Sequence, residues 1–197
     1  MSDAPSSPNR ARRQGPRKAR KVSPAYLERA ALYYLERFAA TEDSLRQVLM
    51  RRVRGSAKDH GTDPAEGARW VEDLIVRYRR AGLVDDRAFA EARARRLHAR
   101  GLAGRAIRLR LAQKGIAADI IDAALAALAD EVGGDVERQA ALALAKRRRL
   151  GPFRATGDRA EFRDRDLAAL ARAGFSYDTA RHIIEAESPE DLTESLE

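Results

Sequence analysis

Apolar residues recur every three or four positions almost throughout the segment between Ser23 and Glu187. That spacing places them on one face of an α-helix, whereas no long stretch shows the alternating pattern of a β-strand. The first predicted helix runs from Ser23 to Phe38, with Pro24 at a position that helix starts tolerate. Its apolar face contains Leu27, Ala31, Tyr34, Leu35 and Phe38. The pattern therefore predicts an all-α protein.

Two more helices complete a first group. Thr41 or Asp43 is predicted to cap the second helix, and a loop containing glycine and charged residues follows at 54–64. The core line of the second helix consists of Leu45, Val48 and Leu49. The third helix closes at Gly82, and Trp70 lies in register with its apolar face. We therefore expect Trp70 to pack in the core rather than to stack on a base.

The same order of helices recurs twice. Helices are predicted at 85–100, 103–114 and 117–129, and again at 135–149, 159–173 and 177–187. The clearest internal match sets Leu111, Gly115 and Ile116 against Leu170, Gly174 and Phe175 at one constant offset. Such a period indicates stacked units that are too small to be stable alone. We predict three tandem three-helix repeats, at 25–82, 83–132 and 133–187.

Charge is distributed unevenly along the chain. There are 38 Lys and Arg residues against 30 Asp and Glu residues, which gives a formal net charge of +8. Residues 1–24 are basic and rich in Pro and Ser, so a disordered tail is predicted there. Residues 188–197 are predicted to form an acidic tail. Residues 1–24 have a net charge of +6 and residues 185–197 one of −6, so these ends cancel and the helical part between them holds the net +8, which favours an anionic partner.

The residues that would support catalysis, cofactor binding or export are missing. The absence of cysteine excludes disulfides, thiolate zinc sites and a cysteine nucleophile. His60, His98 and His182 lie in different predicted repeats, so they form neither a metal site nor an acid–base pair, and His98 is expected on a solvated helix face. No apolar run has membrane-spanning length, and no secretory signal is visible. We expect a cytoplasmic protein without enzymatic activity, cofactor or metal.

The segment 82–116 concentrates the candidate binding residues. Asp85 or Asp86 is predicted to cap a helix rather than to bind a metal, because no third ligand lies nearby, and Phe89 anchors that helix. At about 100° per residue, a strip about 60° wide contains three cations: Arg93, Arg96 and Arg100. Like charges without counter-charges favour an anion-binding surface, although a solvated helix face shows the same pattern.

Two further groups of cations extend this candidate surface. On the next helix Arg105 and Arg108 are predicted to project outward, while Ile107 and Leu111 form the core line. The third predicted repeat contains a basic run at the end of a helix, Lys146, Arg147 and Arg148. That run fits an anion-binding surface and also fits the favourable interaction of cations with a helix C-terminus.

Together these residues resemble the RecX family, bacterial regulators of the RecA recombinase. The resemblance covers roughly 26–186 and is strongest from Ala81 to Ile116. The matching residues are the Gly-Leu-Val-Asp-Asp turn at 82–86, Phe89-Ala90, Arg93, Arg100-Gly101 and Lys114-Gly115-Ile116. The 54–64 loop, the arginine-rich N-terminal extension and the acidic end depart from the family pattern.

The resemblance implies a protein of three three-helix units in an elongated, curved arrangement. It also implies binding along the groove of a RecA–single-stranded DNA filament, with suppression of strand exchange, ATP turnover and coprotease activity in DNA repair and recombination. Single-stranded DNA and duplex DNA are further implied partners, and we expect a monomer. The candidate cations would contact acidic side chains of the filament, phosphates, or both.

Two other functions stay open on the sequence. A basic helical chain of this kind also fits a stand-alone nucleic-acid-binding module, such as a transcription regulator that works without RecA. A hydrolase or nuclease would need metal-dependent chemistry and a carboxylate cluster, which the sequence does not show.

Overall fold

The architecture is entirely helical, as predicted. A computed structural model describes residues 18–194, and no β-strand occurs within that range. A 3-10 turn at Gly151–Phe153 separates α7 from α8. The α-helices are α1 (Pro24–Leu35), α2 (Glu42–His60), α3 (Pro64–Arg80), α4 (Asp86–Ala99), α5 (Gly104–Ala112), α6 (Ala118–Val132), α7 (Val136–Arg148), α8 (Arg159–Ala173), α9 (Tyr177–Glu185) and α10 (Pro189–Glu194).

Short polar side chains start most of these helices. Ser23, Thr41 and Asp85 each accept a hydrogen bond from a backbone N–H in the first turn of the helix that follows. These bonds satisfy N–H groups that have no partner inside the helix. The caps predicted at Thr41 and Asp85 are confirmed. By contrast, the N-cap positions of α5 and α6 are Ala103 and Ala117, whose side chains cannot accept a hydrogen bond.

The loop predicted at 54–64 is wrong over most of its length, because α2 continues to His60. Val53 and Ser56 are both buried and continue the inner face of this helix. The Ser56 hydroxyl accepts a hydrogen bond from the backbone N–H of Val22 at 3.0 Å and also bonds the Thr62 hydroxyl at 2.7 Å. The additional turns are therefore stabilised by tertiary contacts that helix propensity does not include.

Residues 18–23 differ from the disordered tail predicted for 1–24. They lie along the end of α2, where Val22 is buried. The Ala19 N–H donates to an Asp59 carboxylate oxygen at 2.6 Å, and the Ala19 carbonyl lies 2.6 Å from His60 Nε2. One buried valine and these backbone bonds order a segment whose composition alone indicates disorder. Residues 1–17 lie outside the described part of the chain.

The predicted acidic tail also begins too early. Residues 189–194 form α10, and Leu192 is buried against α9 and its neighbours. The α10 helix packs onto the core through a single apolar side chain, that of Leu192. In the sequence the acidic residues around Leu192 make this segment look like a polar tail. Residues 195–197 are not described.

Three hydrophobic clusters account for the core. The first packs around Leu27, Leu49 and Leu74, with Trp70 half-buried at its edge, as predicted. The second surrounds Ile107, and the third surrounds Leu170. Each cluster takes nearly all its residues from one of the three predicted repeats, so we retain the division into three repeats as our interpretation of this core.

The second helices of successive repeats meet end to end. At the first joint the Thr41 hydroxyl, at the start of α2, donates to the Lys114 carbonyl just beyond the end of α5 at 2.7 Å. At the second joint the Ala103 N–H, at the start of α5, donates to the Ala173 carbonyl at the end of α8 at 3.2 Å. The negative end of one helix dipole therefore faces the positive end of the next, which is a favourable alignment.

Glycine at these joints explains the internal match in the sequence. Gly115 has φ +74°, and a Cβ added there would lie 2.3 Å from Asp43 Cβ. Gly174 has φ +101°, and its added Cβ would lie 2.9 Å from Ala106 Cβ. Both positions combine left-handed backbone with close helix approach, a combination that only glycine tolerates without strain.

An acidic side chain of the following repeat caps the helix across each joint. Asp86 accepts a hydrogen bond from the Glu42 N–H at 2.8 Å, and Glu137 accepts one from the Gly104 N–H at 2.7 Å. The second interaction supplies the cap that α5 lacks in its own repeat. Burial raises the pKa of Asp86 above its ordinary value, and the hydrogen bond from Glu42 opposes this shift.

Asp86→Ala should lower the free energy of unfolding by about 1 kcal/mol, because the first N–H of α2 loses its acceptor. Asp86→Asn keeps an acceptor oxygen and should leave the free energy of unfolding almost unchanged.

Stability should also depend on pH through this residue. Since the folded-state pKa of Asp86 is raised, its ionisation in the folded protein opposes folding, and this cost disappears as pH falls through that pKa. Any advantage of Asp86→Asn over wild type should therefore shrink towards acidic pH. Urea unfolding of both variants checks this, and equal stabilities of the Ala and Asn variants would contradict the capping role.

Candidate functional site

The arginine strip predicted on α4 is present and consists of Arg93, Arg96 and Arg100. Arg96 and Arg100 are exposed, and Arg93 is half-buried. Arg100 is the C-cap residue, one position beyond the last helical residue, with φ −86° and ψ 2°. Across residues 18–194, no acidic side chain forms an ion pair with any of the three. They therefore offer uncompensated positive charge to the surroundings.

Arg95, another arginine of α4, is neutralised by acidic side chains. Arg95 bonds Glu131 of α6 at 2.9 Å and contacts Glu91 one turn earlier at 3.5 Å. Glu91 is thus paired on a different face of α4 from the strip. The strip is therefore the face of α4 whose positive charges have no acidic partner among the described side chains.

A groove of about 600 Å³ lies beside this strip, where the first predicted repeat meets the second. Its cationic lining consists of Arg37, Arg93, Arg96 and Lys114, and one acidic residue, Asp85, also lines it. Its apolar lining includes Phe38, whose surface is 56% exposed, and Leu83, which is 50% exposed. We call this the inter-repeat groove. It joins apolar surface to positive charge, a combination suited to an anionic ligand with flat or apolar parts.

The prediction for Phe38 is wrong, because α1 ends at Leu35 and leaves this ring outside the core. Phe38 instead packs against Tyr34, with ring centroids 5.2 Å apart. Because Tyr34 and Phe38 are four residues apart and would share a face of a continuous helix, helical spacing alone gave no signal for this outcome.

Arg105 and Arg108 are exposed, as predicted, yet both are engaged within the protein. Arg108 forms an ion pair with Asp122 of α6. Arg105 donates a hydrogen bond to the Phe175 carbonyl at 3.1 Å and so connects the second repeat to the third. Their outward direction was predictable from helical spacing, but their partners come from helices distant in sequence. These two residues are weaker candidates for ligand binding than the α4 strip.

Lys146, Arg147 and Arg148 are exposed in the last turn of α7. No acid of the described region pairs with them. The helix ends at Arg148, and its C-cap residue Arg149 has a left-handed backbone with φ +55°. Both interpretations of this run stay possible, since the cations face solvent and also lie at the negative end of the helix dipole.

The histidines do not form a site. His98 is half-buried and its Nε2 lies 3.0 Å from the Val136 carbonyl, so the solvated position expected for it is wrong. His60 and His182 lie on other helices. In the part of the chain that is described, no three His, Cys, Asp or Glu side chains are grouped to hold a metal ion. None of the described helices is both long and apolar enough to cross a membrane.

Sequence reasoning missed a buried ion pair between Arg154 and Asp166. One Arg154 nitrogen lies 2.7 and 2.8 Å from the two carboxylate oxygens, and the side chain of Asp166 is only 2% exposed. The Gly151 N–H also donates to Asp166 at 2.9 Å, and the guanidinium stacks on Phe162 at 4.1 Å. Asp166 thereby attaches the segment after α7 to α8. This pair is a structural element of the third repeat.

Comparison with known proteins supports the resemblance seen in the sequence. A family profile described as "RecX, second three-helix domain" matches residues 85–125, a range that contains the α4 strip. A regulatory protein RecX from Myxococcus xanthus is 45% identical over 187 residues, covering 94% of this chain and 98% of that protein. One from Agrobacterium fabrum is 29% identical and covers 77% of this chain and 79% of that protein.

A crystal structure of a regulatory protein RecX has the same fold. The two structures superpose with a TM-score of 0.56 at 24% sequence identity, covering 83% of this chain and 72% of that chain. The fold and the sequence relationship agree over most of the molecule. The chain belongs to the RecX family of regulatory proteins.

Proposed function

We propose that this protein regulates the RecA recombinase by binding the RecA–single-stranded DNA filament and slowing its ATP turnover, strand exchange and coprotease activity. The observation that carries the proposal is the unpaired arginine strip of α4 beside the inter-repeat groove. The family relationship supports the choice of RecA as the target. In this proposal the three repeats bind along the filament as a monomer.

The electrostatics of the strip fit a filament as ligand. A nucleoprotein filament repeats its acidic side chains and phosphates along its length, so each of the stacked repeats can meet an anionic surface. The contribution of exposed cations to such binding decreases as salt screens their charge. Raising the salt concentration should therefore weaken binding steeply. Lys146, Arg147 and Arg148 would extend the contact into the third repeat.

Titrating this protein into a RecA ATPase assay on single-stranded DNA tests the proposal. We expect inhibition at amounts well below one molecule per RecA, because a ligand that stops growth or promotes loss of subunits acts on many neighbours. Inhibition that requires enough protein to saturate the DNA would indicate competition for the strand and contradict filament regulation. Absence of inhibition at low salt would end the proposal.

The basic surface also supports a second candidate, a nucleic-acid-binding module that works without RecA. Tight binding to one duplex sequence in the absence of RecA is its distinguishing result. The α4 arginines border a groove with apolar walls, whereas base-edge readout needs a helix that enters the major groove of duplex DNA. We therefore place filament regulation first.

A further inference from the structure

A second groove, of about 560 Å³, lies on the first repeat, on the side formed by the segment before α1 together with α1 and α2. Two tyrosines, Tyr26 and Tyr34, line it from α1. Three arginines line it from the other two elements: Arg20, Arg51 and Arg52. We call it the tyrosine groove. Its lining contains no acidic residue.

The arginines of the tyrosine groove are available to an anionic ligand. Arg20 and Arg51 are exposed. Arg52 is half-buried and donates to the Val48 carbonyl one turn earlier at 3.3 Å, which uses one of its five donors. Over residues 18–194 none of the three forms an ion pair. Three uncompensated guanidinium groups around one concave surface make a local field that favours a polyanion.

The tyrosine groove adjoins the inter-repeat groove. Tyr34 lines the first and Phe38 lines the second, and these two rings are in contact, with centroids 5.2 Å apart and planes tilted by 40°. The shared pair of rings forms the boundary between the grooves. The ring pair therefore has cations on both sides, with Arg51 in the tyrosine groove and Arg93 and Arg96 in the inter-repeat groove.

We propose that this combined surface is a binding site for single-stranded nucleic acid. Phosphates would pair with the arginines of the tyrosine groove, and bases would stack on the rings of Tyr34 and Phe38. Of these rings Phe38 is exposed and Tyr34 is half-buried where it lines the groove. Cations beside accessible aromatic rings are the arrangement that binds single strands without sequence preference. Duplex DNA is a poorer ligand for the rings, because its bases are already stacked on one another.

An acidic protein segment is a weaker fit. Its carboxylates would pair with the arginines, but it brings no bases to stack on the aromatic rings. Apart from the two tyrosine rings, the uncharged lining of the tyrosine groove consists of Val48, Ala19 and Gly55. The inference deepens the proposed function, since it names the DNA strand of the filament as a direct ligand. Its test uses naked DNA, so it succeeds or fails independently of RecA.

Fluorescence anisotropy with labelled oligothymidylate and the full-length protein provides the test. We expect Phe38→Ala to weaken binding about fivefold or more, which is the loss of one stacked base. Tyr34→Ala should have a similar or larger effect, and Arg51→Gln should weaken binding and reduce its salt dependence. Tyr33→Ala is the matched control, because Tyr33 is a neighbouring tyrosine that is 53% exposed but lines neither groove.

An abasic strand of equal length separates stacking from charge. Wild type should bind it about fivefold or more weakly than oligothymidylate, and Phe38→Ala should cause no further loss on the abasic strand. Circular dichroism identifies any variant that fails to fold, and Phe38→Ala is the safer variant because its ring is outside the core. Equal binding of abasic and normal strands, equal binding of duplex, or an equal effect of Tyr33→Ala would overturn the inference. RecA ATPase inhibition measured in parallel shows separately whether the proposed function holds.

Discussion

Reversing the charge of both Arg96 and Arg100 to Glu should abolish inhibition of RecA ATP turnover at protein concentrations where wild type inhibits fully. Each substitution replaces an attraction by a repulsion, and exposed charge pairs contribute up to about 1 kcal/mol each. Two reversals should therefore weaken filament binding by about tenfold or more. ATPase inhibition curves for wild type and the double variant measure this effect. Neither side chain packs in the core, so helicity should be retained.

The matched control reverses two other exposed arginines, Arg69 on α3 and Arg172 on α8. Both are exposed, lie outside the two grooves and form no ion pair within the described structure. The control changes the net charge by the same amount as the test variant. If inhibition decreases equally in both, overall charge rather than the α4 strip is responsible. Full inhibition by a folded Arg96/Arg100 variant would refute the assignment of the strip.

Asp166→Ala should destabilise the protein by about 3 kcal/mol, the largest loss that we expect from a single substitution. The change leaves the guanidinium of Arg154, which is only 16% exposed, without its counter-charge. Removing one partner of a buried ion pair is costly because the remaining charge stays out of water. The Gly151 N–H loses its acceptor as well. For a chain of this size the melting temperature should fall by about 6–12 °C in calorimetry.

Asp164→Ala is the control for this prediction. Asp164 lies on the same helix two residues earlier and its side chain is 95% exposed, so its ion pair with Arg163 contributes little. Replacing both buried partners, as in Arg154→Met with Asp166→Leu, should recover most of the stability, since no unpaired charge then remains. A decrease in the free energy of unfolding below about 1 kcal/mol for Asp166→Ala would contradict the prediction. It would show that water solvates the Arg154 guanidinium at little cost once the carboxylate is gone.

Local chemistry explains why much of the fold was predictable. Helical spacing, the Thr41 and Asp85 caps and the glycine ends act within a few residues, and all of them appear in the structure. The strip on α4 follows from the same rule, because its three residues, spread over about two turns of helix, share a face wherever the helix packs. The family relationship was visible for the same reason, since its motif lies in one continuous segment.

Errors arose where a residue's partner lies far away in the sequence. Ser56 extends α2 because Val22 lies beside it, and Arg108 is neutralised because α6 brings Asp122 next to it. The tyrosine groove and the inter-repeat groove were likewise invisible, since their walls come from separate helices. Even the repeated glycine was seen only as a pattern, whereas its role at the joint between second helices needed coordinates.

The order of amino acids alone determined that this protein is helical and that α4 has one strongly basic face, and it predicts that the helices recur in similar groups. Those properties depend on interactions between residues within about one helical turn, whose geometry is the same in any helix. Only the tertiary structure decided which cations are already neutralised, which aromatic rings are exposed and which capping groups act across joints. Each of these depends on contacts between residues from different helices, and such contacts exist only once the chain has packed.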